Sequence, residues 1–388
     1  METTVVKLSE LTVDGKGSYG IAASAVERDE NLPTYLRITD IYDDGTLNLN
    51  DLKSVDAPDA QRYLLRPNDI VFARTGGSTG RNYFYDGSDG QFVYAGFLIK
   101  FGLDPKKVNP AFIKYYCQSE KYRNWVRSFN TGSTRGNINA QTYGNMEIEL
   151  PSREQQDYLV SVLSPLDEKI KLNREINDNL QQQAAALFAN FYDQAETEVG
   201  FTEMIQILGG GTPKTGESSY WNGDIPFFTP KDVGFPYTLT TEKTITEEGL
   251  AHCNSRLYPI NTVFVTARGT VGKVGLPGVP MAMNQSCYAL VGKDTHQLLV
   301  YFYTLKAVDR LKHKASGAVF DAITTRDFEA ENIMKLSDDD TKAFLDVAEP
   351  IYQAVLNNSI ENLRLSELRD SLLPKLMNGE IDVTDIRL

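Results

Sequence analysis

A chain of 388 residues is longer than one hydrophobic core usually serves, so two or more domains are expected. Its 41% hydrophobic and 23% charged content is that of an ordinary soluble globular protein. No apolar run reaches the ~18 residues of a membrane helix, and residues 1–15 lack the basic-then-apolar pattern of a secretion signal. The net charge of −13 excludes a uniformly basic nucleic-acid binder, but the charge is unevenly spread.

Residues 1–60 carry 12 acidic and 5 basic side chains. The runs Asp69–Ala73 and Phe92–Lys100 then read as strands bounded by turn residues. Between them lies the glycine-rich NDIVFARTGGSTGR (Asn68–Arg81), whose backbone amides and flanking Arg74 and Arg81 are suited to an anionic partner. Residues 105–140 follow with a net charge of +6, contributed by Lys106, Lys107, Lys114, Lys121, Arg123, Arg127 and Arg135 against Glu120 alone. Within them Pro110–Phe129 reads as helical and interleaves Tyr115, Tyr116, Tyr122 and Trp125 with the cations, about half of these rings being core by helical spacing. The polar stretch Asn130–Gln141 offers Arg135, Asn137 and Asn139 as readers of base edges, since arginine suits guanine and asparagine suits adenine.

Ser164-Pro165 has the form of an N-cap followed by proline at the first helical position, with Asp167 as capping-box acid. From there Leu166, Ile170, Asn173, Asn177, Leu180, Ala184, Leu187 and Phe191 recur in alternating steps of four and three, the seam of a coiled coil. Residues 165–192 would make a rod of about 42 Å at ~1.5 Å per residue, comparable with the ~34 Å of one DNA turn.

The second half repeats the first. At an offset of 185 residues Thr131-Gly132 matches Ser316-Gly317, Ile138 matches Ile323, Tyr143 matches Phe328, and Pro165 matches Pro350. NTVFVTARGTVGK (Asn261–Lys273) matches Asn68–Arg81 after a one-residue gap, Thr262–Thr266 reads as a strand, and Gln297–Lys314 reads as a helix. The seam returns as Ile351, Val355, Asn358, Asn362, Leu365, Arg369, Leu372 and Leu376, again with two central asparagines. Buried asparagine at such positions costs stability and fixes register; two such helices carried by related halves of one chain are expected to pair antiparallel about a pseudo-two-fold axis. In this half Lys214, Arg268, Lys273, Asn284, Gln285, Lys312 and Lys314 are the candidates for DNA contact. The fold expected is mixed α/β and internally duplicated: a first recognition domain over 1–151, a helical region over 152–193, a second domain over 194–336, a second helical region over 337–380 and a tail over 381–388.

Catalytic signatures are missing. ARGTVGK does not meet the phosphate-loop pattern GxxxxGK[ST], and His252, His296 and His313 are scattered without metal-ligand spacing. Cys117, Cys253 and Cys287 form no CxxC pair and read as incidental thiols of a cytoplasmic protein. A binding protein is favoured over an enzyme. The acidic balance also raises a DNA-mimicking inhibitor, which the basic stretch over 105–140 contradicts.

GGGTPKT (Gly209–Thr215), YWNGDIPFFTPKDV (Tyr220–Val233), ARGTVGK (Ala267–Lys273), MAMNQSC (Met281–Cys287) and SELRDSLLPKLMNGEI (Ser366–Ile381), in this order, resemble the successive signatures of the specificity subunits of type I restriction–modification systems. GSYGIAASA (Gly17–Ala25) with YLRITDI (Tyr35–Ile41) is similar to another branch of that family. The resemblance implies two target-recognition domains that read the halves of a split double-stranded DNA site. It implies two methyltransferase subunits docked along the helices, and restriction/motor subunits joining them. No cofactor would be bound by this chain; S-adenosylmethionine, ATP and magnesium would belong to the partners. A specificity-type subunit of another multi-subunit restriction scheme remains an alternative.

Overall fold

The computed structural model describes residues 3–129, 136–234, 236–314 and 322–381. Thr131, Gly132, Arg135, Ser316 and Gly317 therefore lie outside the described residues. The chain divides into two compact units, residues 1–168 with 366–388, and residues 169–365.

In the first unit Thr3–Lys7 pairs antiparallel with Glu147–Pro151, which leads into the long helix Arg153–Gln194. Between these two strands an antiparallel sheet runs in the order Ser18–Tyr19, Leu98–Gly102, Asp69–Ala73, Asn82–Tyr85. A second sheet runs Ala25–Val26, Lys53–Val55, Thr34–Leu36, Phe92–Tyr94. The expected strand Phe92–Lys100 is thus two strands, broken at Ala95–Phe97 and shared between the sheets. The expected helix Pro110–Phe129 is likewise two helices, Pro110–Tyr116 and Glu120–Arg127, because Ser119 caps the second by accepting the Tyr122 N–H. Tyr115, Tyr116 and Tyr122 are core residues packed with Phe72, Phe101 and Tyr143, and Trp125 lies half-buried against them.

The second unit has the same plan. Thr197–Gly200 pairs with Asn332–Lys335, which leads into the helix Asp338–Met377. A five-stranded sheet (Ile205–Gly209, Cys287–Gly292, Val263–Thr266, Val274–Pro277, Tyr237–Thr238) and a three-stranded one (Thr244–Ile245, Trp221–Phe228, Ala282–Met283) stand where the first unit has its sheets. Helix Gln297–Lys314 packs on the larger sheet through Leu299, Phe302, Tyr303 and Val308.

The long helices start earlier than Ser164-Pro165 and its copy suggested. The N-caps are Ser152 and Ser337, 185 residues apart. Ser152 exchanges hydrogen bonds with Gln155, and Ser337 Oγ accepts the Asp340 N–H at 3.1 Å. Ser164 lies inside the helix and donates to the Val160 carbonyl at 2.7 Å. Pro165 and Pro350 are both exposed within their helices, so water can serve the carbonyl each leaves unbonded. Asp167 caps nothing: Lys114 meets it at 2.5 Å, the Tyr115 hydroxyl donates to it at 2.9 Å, and Arg369 meets it at 3.0 Å.

Every seam position on both helices is buried or half-buried. In the second unit the helices run antiparallel, and the asparagines face one another. Asn358 Nδ2 donates to Asn177 Oδ1 at 2.8 Å, while Asn173 Nδ2 donates to Asn362 Oδ1 at 2.9 Å and to Glu361 at 2.7 Å. In the first unit the same antiparallel pairing brings Leu159 and Leu163 into one core with Leu373 and Leu376. Arg369, which breaks the apolar seam, lies buried opposite Asp167.

The asparagine layer makes a testable case. Changing Asn173 and Asn177 alone to Leu strands the half-buried Asn358 and Asn362 amides, at a cost toward the low end of the about 1–3 kcal/mol of an unmet buried group. Replacing all four with Leu removes both sides of each asparagine–asparagine hydrogen bond and also the buried, unpartnered Asn173 Oδ1. The fourfold variant is expected to unfold at a higher temperature and to populate more than one register or oligomer, read by thermal unfolding and light scattering. A hotter-melting variant that remains one species would show that the asparagines do not set register.

Candidate nucleic-acid interface

Both glycine-rich turns leave the end of a central strand, and both of those strands are entered from an asparagine with positive φ: Asn68 and Asn261 have φ of 75° and 69°, a region asparagine tolerates better than most side chains. Their hydrogen bonds fix the equivalence between the units. Gly80 N–H donates to the Ala73 carbonyl and Gly272 N–H to the Thr266 carbonyl; Ile138 N–H donates to the Arg74 carbonyl and Ile323 N–H to the Ala267 carbonyl. Arg74 therefore corresponds to Ala267, and Arg268 corresponds to Thr75, as the paired bridges Thr75–Asn137 and Arg268–Ala322 also require. The extra residue of the first turn falls after Gly76. Gly80 and Gly272 both have positive φ, and a Cβ on either would strike the helix behind it: Val126 Cγ1 at 2.4 Å in the first unit, Lys312 Cε at 2.6 Å in the second.

The local excess of positive charge over 105–140 is largely spent inside the first unit. Lys114 is tied to Asp167, Lys121 to Glu149 at 2.7 Å, and Arg123 and Arg127 to Glu120 at 3.4 Å. Arg81 pairs with Asp43 at 2.7 Å and also donates to the Ile41 carbonyl. In the second unit Lys314 is bound to the buried Glu331. The candidates that keep no carboxylate partner among the described residues are Arg74, Lys214, Arg268, Lys273 and Lys312. All but Arg74 are exposed. Arg74 lies over the Tyr19 ring at 5.0 Å, an aromatic partner that sequence patterning did not single out because it lies 55 residues away, in the strand on the far side of Leu98–Gly102.

Of the polar candidates, Asn139 uses its Oδ1 to cap helix Ala140–Gly144 by accepting the Thr142 N–H at 2.8 Å. Asn284 accepts the Ser286 N–H at 3.0 Å, and Gln285 Oε1 accepts the Thr212 hydroxyl. Asn137 is exposed beside Thr75.

Among the described residues the cysteines and two of the three histidines are engaged in packing or pairing. Cys117 and Cys287 are buried thiols; burial pushes Cys117 far up and Cys287 up to about 12, away from the thiolate that reactivity needs. His252 stacks on Tyr220, and His296 lies 2.7 Å from Glu349. Among the described residues no group of three or more His, Cys, Asp or Glu is placed to hold a metal ion, and no helix is long and apolar enough to cross a membrane.

Two versions of one α/β head, each closed by a strand pair that feeds a long helix, with unpaired cations around the glycine turns, define a duplicated binding scaffold. The chain belongs to the type I restriction modification DNA specificity domain family, whose model matches residues 16–182 and again residues 197–335. It is 22% identical to the type I restriction enzyme HindI specificity subunit of Haemophilus influenzae, over 89% of this chain and 94% of that protein. It is 27% identical to the EcoR124I/EcoR124II specificity subunit of Escherichia coli, over 46% of this chain and 48% of that one. The solved type I restriction–modification S subunit from M. genitalium shares the fold, with a TM-score of 0.55, 16% identity and coverage of 97% of this chain and 96% of that one.

Proposed function

We infer that the chain is the DNA-reading, non-catalytic subunit of a type I restriction–modification complex. It binds an asymmetric two-part DNA target and directs methyltransferase and restriction subunits to it. The observation that carries this reading is the double match of one DNA-specificity family model, once on each half of a structurally duplicated chain. The heads correspond to residues 1–151 and 194–336, the helical regions to 152–193 and 337–380. Two methyltransferase subunits dock along the helices and supply S-adenosylmethionine chemistry, while restriction/motor subunits supply ATP hydrolysis with magnesium.

The experiment is sequencing of methylated sites in cells that carry the chain with type I methyltransferase subunits. One bipartite, asymmetric motif is expected, and none when the chain is omitted. Methyl transfer by the purified chain alone would overturn the assignment of chemistry to partners.

The exposed, unpaired cations are the phosphate contacts in this reading. Removing Arg268 and Lys273 together should flatten the log K against log salt slope of the assembled complex by about 2, at ~0.9 per lost phosphate contact. Lys114→Ala should leave that slope unchanged, since its ammonium is held by Asp167. A slope insensitive to the double change removes Arg268 and Lys273 from the phosphate backbone.

A further inference from the structure

The function inferred above requires each head to read bases, and three residues at one end of the first head's sheet form a device for it. The ladder between Asp69–Ala73 and Leu98–Gly102 places Ala73 opposite Leu98. It continues one step further, with Arg74 N–H donating to the Phe97 carbonyl at 3.0 Å. Arg74 and Phe97 are thus joined through their backbones just beyond the end of the ladder. Tyr19, opposite Ile99 in the adjacent strand, completes the group, its ring under the Arg74 guanidinium. The Tyr19 hydroxyl accepts the Ala140 N–H at 3.2 Å, which holds the ring in place.

Phe97 is 58% exposed and Tyr19 42% exposed. Arg74 makes no side-chain hydrogen bond or ion pair among the described residues, and its Nε is buried with no partner. A guanidinium fixed by an aromatic face, with its donors unspent, beside a phenyl ring presented on a tight turn, is poorly explained as packing.

The second head shows that the scaffold does not need this group. Ala267 N–H donates to the Ser286 carbonyl at 2.8 Å, as Arg74 does to Phe97, and Gly209 lies opposite Tyr288 where Tyr19 lies opposite Ile99. Tyr19, Arg74 and Phe97 are therefore replaced by Gly209, Ala267 and Ser286 on the same framework. We propose that Phe97 is a wedge that stacks on an opened base step of the half-site read by the first head, and that Arg74, oriented by Tyr19, hydrogen-bonds the edge of the adjoining base. Aromatic wedges and arginine base contacts are established ways of joining deformation to sequence reading. The second head reads its half-site without such a wedge.

The test uses the chain assembled with its methyltransferase subunits and a duplex carrying the motif that the wild-type complex methylates. 2-Aminopurine is placed in turn at positions of each half-site other than the methylated base. Binding should raise the fluorescence at one step of the first half-site. Phe97→Ser, the residue of the second head, should abolish that rise and weaken binding roughly tenfold or more, while Phe97→Trp should retain both. Arg74→Ala should relax one position of the first half-site in the methylated sequences and leave the second half-site unchanged. Binding by Phe97→Ser within twofold of wild type, with the fluorescence rise intact, overturns the wedge. An unrelaxed motif with Arg74→Ala overturns the base contact. A wild-type complex without sequence-dependent DNA binding would instead overturn the underlying reading of function.

Discussion

Asp167→Ala is expected to destabilise the first unit by about 3–5 kcal/mol, the scale for removing one member of a buried ion pair. The carboxylate meets Lys114 and Arg369 and accepts the Tyr115 hydroxyl. Its loss leaves the Arg369 guanidinium, itself buried, with only the exposed Asp370. Burial pushes the Asp167 carboxyl up, but the Lys114 and Arg369 charges beside it outweigh burial and hold it below the ordinary carboxylate range. In the unfolded chain an aspartate titrates near ~3.9. With the folded value lowered, this contribution is complete above the unfolded value and lost as the pH falls through the folded one. Parent and variant should therefore differ most near neutrality and converge in acid, measured as denaturant midpoints over a pH series. A gap that stays constant into acid would mean that packing, and not charge, is what Asp167 contributes. A compensating Asp167→Leu with Arg369→Leu pair should recover part of the lost stability, because the buried Arg369 charge leaves with its partner and the charges left over, Lys114 and Asp370, reach solvent.

Exchanging residues 194–336 for the corresponding head of a relative should replace one half of the methylated sequence completely while the other half and the spacer stay as they were. The two heads share strand order, turn register and strand-pair closure, yet differ in what they present: Arg74 against Ala267, Thr75 against Arg268, Phe97 against Ser286. Recognition that depends on such local side chains is modular when each head has its own core, and the buried clusters of the two units are separate. Insertion of one heptad into each long helix should, by contrast, change the spacer and preserve both half-sites. Sequencing of methylated sites in cells carrying the partner subunits reads both results. An exchange that altered both half-sites together would mean that the heads read jointly.

The duplication, the mixed α/β class and the antiparallel helix pair were legible in the residues because they rest on periodicity. Apolar side chains three and four residues apart share a helix face wherever the helix sits, so the seam from Leu166 to Leu187 and from Ile351 to Leu372 could be read directly, and with it the facing asparagines. Helix starts were less secure. Ser164-Pro165 has the local form of a cap, but a cap is defined by the backbone before it, and strand Glu147–Pro151 delivers the chain into helical geometry at Ser152 instead.

Charge was the least legible. A stretch of net +6 reads as a surface for phosphates only while its cations are free, and the carboxylates that hold Lys114 and Lys121, Asp167 and Glu149, lie outside it; Arg81 of the glycine-rich turn is held in the same way by Asp43. Composition and spacing alone determined the repeat, the long helices and the absence of catalytic motifs, because each depends on neighbours along the chain. Tertiary structure alone decided which cations remain available and that Tyr19, Arg74 and Phe97 adjoin, because ion pairing and cross-strand contact act through space between residues that no sequence period connects.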